Sequence, residues 1–140
     1  MSQTTGLPGI VQPADASLVT YTHIIYALHA LSVLMGVVTS ASIVFSFVAG
    51  VPSIVAVVMN YARRSETRGT ILESHFRWQI RTFWFALLWM IIVYAVGLPL
   101  VVLVIGLPIL LLGTVANGVW IVYRVVRGWL ALRDQRPMYV

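Results

Sequence analysis

Long apolar runs, separated by short polar passages, dominate this chain. They cover about residues 18–38, 42–60 and 83–122. A helix needs about 20 apolar residues to cross the hydrocarbon core of a membrane, so the last run is long enough for two passes. Its only breakers are Gly97-Leu98-Pro99 and Gly106-Leu107-Pro108. They predict a turn near 97–106, with a very short re-entrant hairpin as the alternative.

This pattern predicts an all-α integral membrane four-helix bundle. The transmembrane domain is predicted over 17–130, with spans at about 18–38, 42–60, 80–98 and 105–127. Residues 1–16 are rich in Gly, Pro, Ser, Thr and Gln and predict a flexible tail, and 131–140 predict a polar C-terminal tail. Asp15 or Ser17 is the expected N-cap of the first helix. The first twenty residues lack a basic segment, so we expect the N-terminus to be retained.

The only long polar passage inside the apolar sequence is 65–84. At helical spacing Glu73, Arg77 and Arg81 share one face. A roughly parallel apolar stripe contains Leu72, Phe76, Ile80, Phe83 and Trp84. Such a segment predicts an amphipathic helix at the membrane surface that runs into the third span. A solvated loop is the alternative.

Composition agrees with a lipid environment. The chain is 60% hydrophobic and only 9% charged, whereas soluble domains carry about 25% charged residues. The net charge is +5, and all of the Lys and Arg positions are arginines. These arginines lie at the ends of apolar runs rather than in a nucleic-acid-binding patch.

Arginines occur in the connection between the second and third spans and at the C-terminal end, and the other two connections have none. The positive-inside rule then predicts that this connection and both termini are cytoplasmic.

The candidate intramembrane polar residues are Thr22, His23, Tyr26, His29 and Asn117. Because lipid offers no hydrogen-bond partners, such side chains are expected to face other protein. His23 and His29 point about 120° apart on one helix and cannot both ligate one haem iron. A haem would need a second subunit or a second copy, and we favour hydrogen bonding across helices.

No catalytic motif, cofactor site or metal site is predicted. The chain has no cysteine, which excludes disulfides and thiolate chemistry. Glu73 and His75 are not accompanied by a nucleophile in any recognisable motif. Residues near the predicted membrane edge, most of them arginines, are instead candidates for binding lipid headgroups or a protein partner: Arg68, Glu73, His75, Arg77, Arg81, Arg124 and Arg127.

Two blocks resemble a known family: Glu73-Ser74-His75-Phe76-Arg77-Trp78-Gln79-Ile80-Arg81-Thr82-Phe83-Trp84 and Trp120-Ile121-Val122-Tyr123-Arg124-Val125-Val126-Arg127-Gly128-Trp129-Leu130. The chain is similar there to an uncharacterised family of small four-span bacterial membrane proteins. That family is itself distantly similar to the chloroplast inner-envelope protein-import component of about twenty kilodaltons. The resemblance implies four helices with both ends cytoplasmic, in a bacterial inner membrane, and it supplies no catalytic residue.

The expected function is therefore non-enzymatic. We expect an accessory or assembly subunit of a larger membrane complex, or a homo-oligomer, with anionic lipid and other membrane subunits as partners and no nucleic acid. One alternative is a transport or channel component, with Thr22, Tyr26, His29 and Asn117 lining a path between copies. The other is a redox accessory that binds haem or quinone.

Overall fold

The computed structural model describes residues 12–38 and 43–138, and side chains at 12–36 and 50–138. This part of the chain is helical apart from its connections and contains no strand. Four α-helices follow one another: α1 (Ala16–Val38), α2 (Ile43–Ala62), α3 (Ile71–Leu100) and α4 (Gly106–Arg133). A 3₁₀ turn, Arg64–Thr67, precedes α3, and another, Val101–Leu103, follows it. The predicted connection 39–42 and most of the predicted tail 1–16 lie outside the described residues.

The helices pack as two antiparallel hairpins, α1 with α2 and α3 with α4. α1 also packs against α4 and α3, whereas α2 and α3 touch each other much less than the partners within either hairpin. Two buried clusters form the core. One contains Leu18, Tyr26, Leu72, Val125 and Leu132, and the other contains Ile25, Ala56 and Phe76.

Three polypeptide segments meet at one end of the bundle. The Gln12 N–H donates to the Gly69 carbonyl (3.2 Å), and the Met138 N–H donates to Ser74 Oγ (2.9 Å). The start of α1, the 63–70 connection and the C-terminal residues 134–138 therefore lie together. We call this the charged end, because all nine arginines and all four carboxylates lie on it or within three turns of it. The opposite end, at the 101–105 turn, we call the apolar end.

Local hydrogen bonds cap the start of α1, the start of α3 and the end of α4. Asp15 Oδ1 accepts from the Ser17 N–H (2.9 Å) at the start of α1, and Thr70 Oγ1 accepts from the Leu72 N–H (3.2 Å) at the start of α3. Past α4, Gln135 adopts a left-handed conformation (φ 52°). The Gln135 and Arg136 N–H groups donate back to Leu132 and Ala131, which is a Schellman-type ending without glycine.

The turn between α3 and α4 falls at 101–105, inside the interval marked by the two Gly-Leu-Pro sequences. Gly97 and Gly106 come together there. A Cβ on Gly106 would overlap backbone atoms of Gly97, Leu100 and Val101, and a Cβ on Gly97 would overlap Leu110. Pro108 lies in the first turn of α4, where a helix tolerates proline, whereas Pro99 lies inside the last turn of α3 and cannot donate a backbone hydrogen bond there.

The apolar stripe of the 65–84 passage has a different role from the predicted one. The helix is present, and α3 continues without a break from Ile71. However, Leu72, Phe76 and Ile80 are buried in the bundle rather than turned toward lipid. Sequence spacing identified the stripe, but α1 covers it, and only Trp84 at its far end is exposed.

Candidate functional site

The outer surface of the helices is unusually apolar. Three helices are long and apolar enough to cross a membrane: Ala16–Gly36, Ile71–Leu103 and Gly106–Arg133. Within α2, the part whose side chains are described, Gly50–Ala62, is a shorter apolar helix. In the most apolar window of α3 the mean hydropathy is 2.6, yet only 6% of that window is buried. A water-facing surface of this kind would strongly favour association or insertion into lipid.

A buried polar network joins the C-terminal segment to α1 and α3. The Tyr26 hydroxyl donates to His75 Nδ1 (2.9 Å), and His75 Nε2 donates to the Arg136 carbonyl (2.8 Å). A carbonyl can only accept, so the Nε2 nitrogen carries the proton of the neutral ring. His75 is fully buried. It therefore holds three segments together rather than forming part of the exposed binding surface expected for it.

Arg124 is half-buried between α3 and α4. Its guanidinium lies 3.6 Å from the centre of the Trp78 ring and 5.0 Å from that of Trp120. Its Nε donates to Thr82 Oγ1 (2.7 Å), and the Trp78 indole donates to the Arg124 carbonyl (3.1 Å). The arginine thus links α3 to α4 about 14 Å before the end of α4.

The other candidate surface residues are exposed or half-buried at the charged end. Arg77 forms an ion pair with Glu73 (3.2 Å), and Glu73 also accepts from the Gly69 N–H (3.1 Å). Arg81 lies over the Phe85 ring (5.9 Å), and Arg127 donates to the Tyr123 hydroxyl (2.6 Å). Arg68 lines a cleft together with Arg64, Arg77 and Glu73.

The polar residues predicted to lie within the membrane face the interior of the chain, with one exception. Thr22, Tyr26, His29 and Asn117 are buried, and each is bonded within the chain. Thr22 donates to the Leu18 carbonyl (2.7 Å), His29 shares a hydrogen bond with Ser53 (3.1 Å), and Asn117 donates to the Ala86 carbonyl (3.1 Å). His23 is the exception, since it accepts from the indole of exposed Trp129 (3.0 Å).

Two buried amides were not predicted from the sequence. Asn60 and Gln79 are fully or nearly fully buried, and neither side-chain amide has a hydrogen-bond partner. Gln79 lines a small cavity, about 10 Å³, with His29, Thr82 and Arg124. The spacing contained a signal for Gln79, because it follows His75 by four residues and shares its helix face. Within the described residues, no group of three or more His, Asp or Glu side chains gathers as metal ligands do.

Comparisons with protein-family models, with curated proteins and with solved structures found no match to this chain. The family resemblance therefore stays a prediction, and function has to be argued from the chain itself.

Proposed function

We propose that this protein is a multi-pass protein of a bacterial inner membrane, with four spanning helices and both termini cytoplasmic. In this proposal it acts without catalysis, as an accessory or assembly subunit of a larger membrane complex or as a homo-oligomer. One observation carries the proposal: the outer faces of α3 and α4 are apolar and exposed, and every formal charge lies toward the same end of the bundle.

The charge distribution supports this orientation. A bundle whose nine arginines all lie toward one end satisfies the positive-inside rule only with that end in the cytoplasm. The deepest arginines can reach the interface, since Arg81 is about 15 Å from the start of α3 and long side chains extend toward water.

The internal polar bonds support a structural role. The side chains with acid–base potential are used to hold helices together: Tyr26 with His75, and His29 with Ser53. The connections between the described helices are short. The lipid-facing surfaces of α3 and α4 remain available for contacts with other membrane subunits.

The absence of cysteine allows a direct test of topology. Ala62→Cys at the charged end and Val102→Cys at the apolar end, where Val102 is 86% exposed, give two single-cysteine variants. A membrane-impermeant maleimide should label the Val102→Cys variant in intact spheroplasts and the Ala62→Cys variant only after permeabilisation. Labelling of both from outside, or release of the protein from membranes by alkaline carbonate, would refute membrane spanning in this orientation.

The accessory or oligomeric role has a separate test. Native mass spectrometry from mild detergent should show retained copies or co-purifying membrane subunits. A bare monomer without lipid or protein partner would contradict it.

A further inference from the structure

An open cleft of about 520 Å³ lies at the charged end, where α2 ends and α3 begins. Its volume falls within the range of about 300–1,000 Å³ that is usual for small-molecule sites. Six residues line it: Tyr61, Arg64, Ser65, Arg68, Glu73 and Arg77. Three arginines and one glutamate give this lining a net charge of +2, which suits an anion. The volume of the cleft leaves room for a group larger than a single phosphate.

Only one of the three arginines is neutralised. Arg77 is paired with Glu73. Within the part of the chain that the structure describes, the four ion pairs include neither Arg64 nor Arg68, and both side chains are exposed. Two guanidinium groups are thus left to face the cleft, and guanidinium binds phosphate oxygens through paired, charge-assisted hydrogen bonds.

The backbone beneath these arginines is well fixed. Thr67 Oγ1 donates to the Arg64 carbonyl (2.8 Å), and Thr70 Oγ1 donates to the Thr67 carbonyl (2.8 Å). Gly69 supplies the left-handed residue (φ 74°) that turns the chain into α3. This short, hydrogen-bonded turn fixes the backbone positions from which Arg64 and Arg68 extend.

The cleft adjoins the apolar surface. The Trp84 indole donates to the Tyr61 hydroxyl (3.1 Å) at its edge, an aromatic pair typical of a membrane interface. One turn farther from the charged end, Val58 on α2 is 61% exposed and Leu88 on α3 is 50% exposed. Because α2 and α3 pack loosely against each other, acyl chains have apolar surface on both helices directly below the cleft.

We propose that this cleft binds the phosphodiester headgroup of an anionic phospholipid, with Arg64 and Arg68 on the phosphate and the acyl chains along α2 and α3. The inference rests on the proposed membrane location. A zwitterionic lipid carries an ammonium group as well, which the net positive lining disfavours. The adjoining apolar surface is what favours a lipid over a free phosphate compound.

The test is native mass spectrometry of the full chain in detergent, titrated with phosphatidylglycerol or phosphatidylcholine of matched acyl chains. The unaltered protein should retain phosphatidylglycerol preferentially. Arg64→Gln/Arg68→Gln should lower that retention on the order of tenfold or more. Arg133→Gln/Arg136→Gln is the matched control, because it removes the same charge from the same end outside the cleft and should leave the preference intact.

Equal loss in both double variants would show a diffuse charge effect and overturn the proposal, as would no loss in either. Displacement of the lipid by millimolar inorganic phosphate would assign the cleft to a free anion instead. If Arg64→Gln/Arg68→Gln fails to fold, Ser65→Glu places a carboxylate in the exposed cleft and should abolish the preference. A protein that resists carbonate extraction but shows no preference would refute the headgroup site and leave the membrane assignment standing.

Discussion

The two ends of the bundle are held by different forces. At the charged end, side-chain hydrogen bonds join α1, the start of α3 and the C-terminal segment, and a backbone hydrogen bond from Gln12 joins the 63–70 connection to the residues before α1. At the apolar end, between 101 and 105, no charged residue occurs and close backbone packing at Gly97 and Gly106 brings α3 and α4 together. Polar bonds tolerate small shifts, whereas backbone contact leaves no space for even a methyl group, so the two ends should respond differently to substitution.

The largest effect is expected from Gly106→Ala at the apolar end. The added Cβ meets backbone atoms, which cannot rotate away, so the hairpin must open at a cost of about 3 kcal/mol or more. Thermal unfolding in detergent, followed by circular dichroism, measures the loss. Gly118→Ala is the control in the same helix, because nothing lies within 4 Å of its Cβ. Similar melting of both variants would contradict the close contact.

His75→Ala should be the most damaging change at the charged end. It leaves the Tyr26 hydroxyl and the Arg136 carbonyl without their buried partner, which costs about 2–3 kcal/mol. Hydrogen exchange at residues 134–138 should rise together with the loss of stability. His23→Ala removes only the bond to exposed Trp129 and should change little. An unchanged exchange rate in the C-terminal segment would show that His75 does not hold it.

A matched pair of substitutions compares two of the left-handed residues, Val104 and Gly69. Val104 (φ 64°) is a branched residue in a conformation that favours glycine, so Val104→Gly should raise stability by up to about 1 kcal/mol. Gly69 has a similar φ of 74° and open space around its Cβ, so Gly69→Ala should lower stability by about 1 kcal/mol through the backbone alone. Melting temperatures that move in the same direction would refute this reading of the turns.

The smallest effect is expected from Glu66→Gln. The hydrogen bond from Arg63 (2.9 Å) holds the pKa of Glu66 below its ordinary value of 4.5. Its contribution is therefore present above pH 4.5 and disappears as the pH falls through the lower, folded-state pKa. Both groups are exposed, so the effect is small and screened by salt. The melting temperatures of the variant and the unaltered protein should differ slightly at pH 7 and converge once the pH has fallen below the folded-state pKa of Glu66; a difference that persists in acid would contradict the assignment.

Much of the architecture was predictable because it depends on composition and period. Runs of apolar residues predicted the helices, and the paired Gly-Leu-Pro sequences bracketed the turn that falls at 101–105. Two helices extend beyond the predicted spans, because α3 already begins at Ile71 rather than near 80 and α4 continues to Arg133 rather than about 127. Thr22, Tyr26 and His29 were expected to face protein because lipid offers polar side chains no hydrogen-bond partner, and they are buried.

Spacing could not decide which of two faces of a helix would be covered. Glu73 and Arg77 were placed on one face of α3 and Leu72 on another, but the residues that pack over the Leu72 face come from α1 and α4, far away in sequence. Consequently His75, predicted at the surface, is buried, and the cleft residues Arg64 and Ser65 were not singled out.

The sequence by itself determined an all-helical chain with too little charge for a water-facing surface and with its arginines grouped in two segments, because those properties belong to each local stretch. The same pattern, with four spans, predicted that the two segments share one end. Only the tertiary structure decided that His75 ties the C-terminal residues to Tyr26 and that Arg64 and Arg68 line one cleft. These depend on distances between residues far apart in the chain, which are fixed when the helices pack.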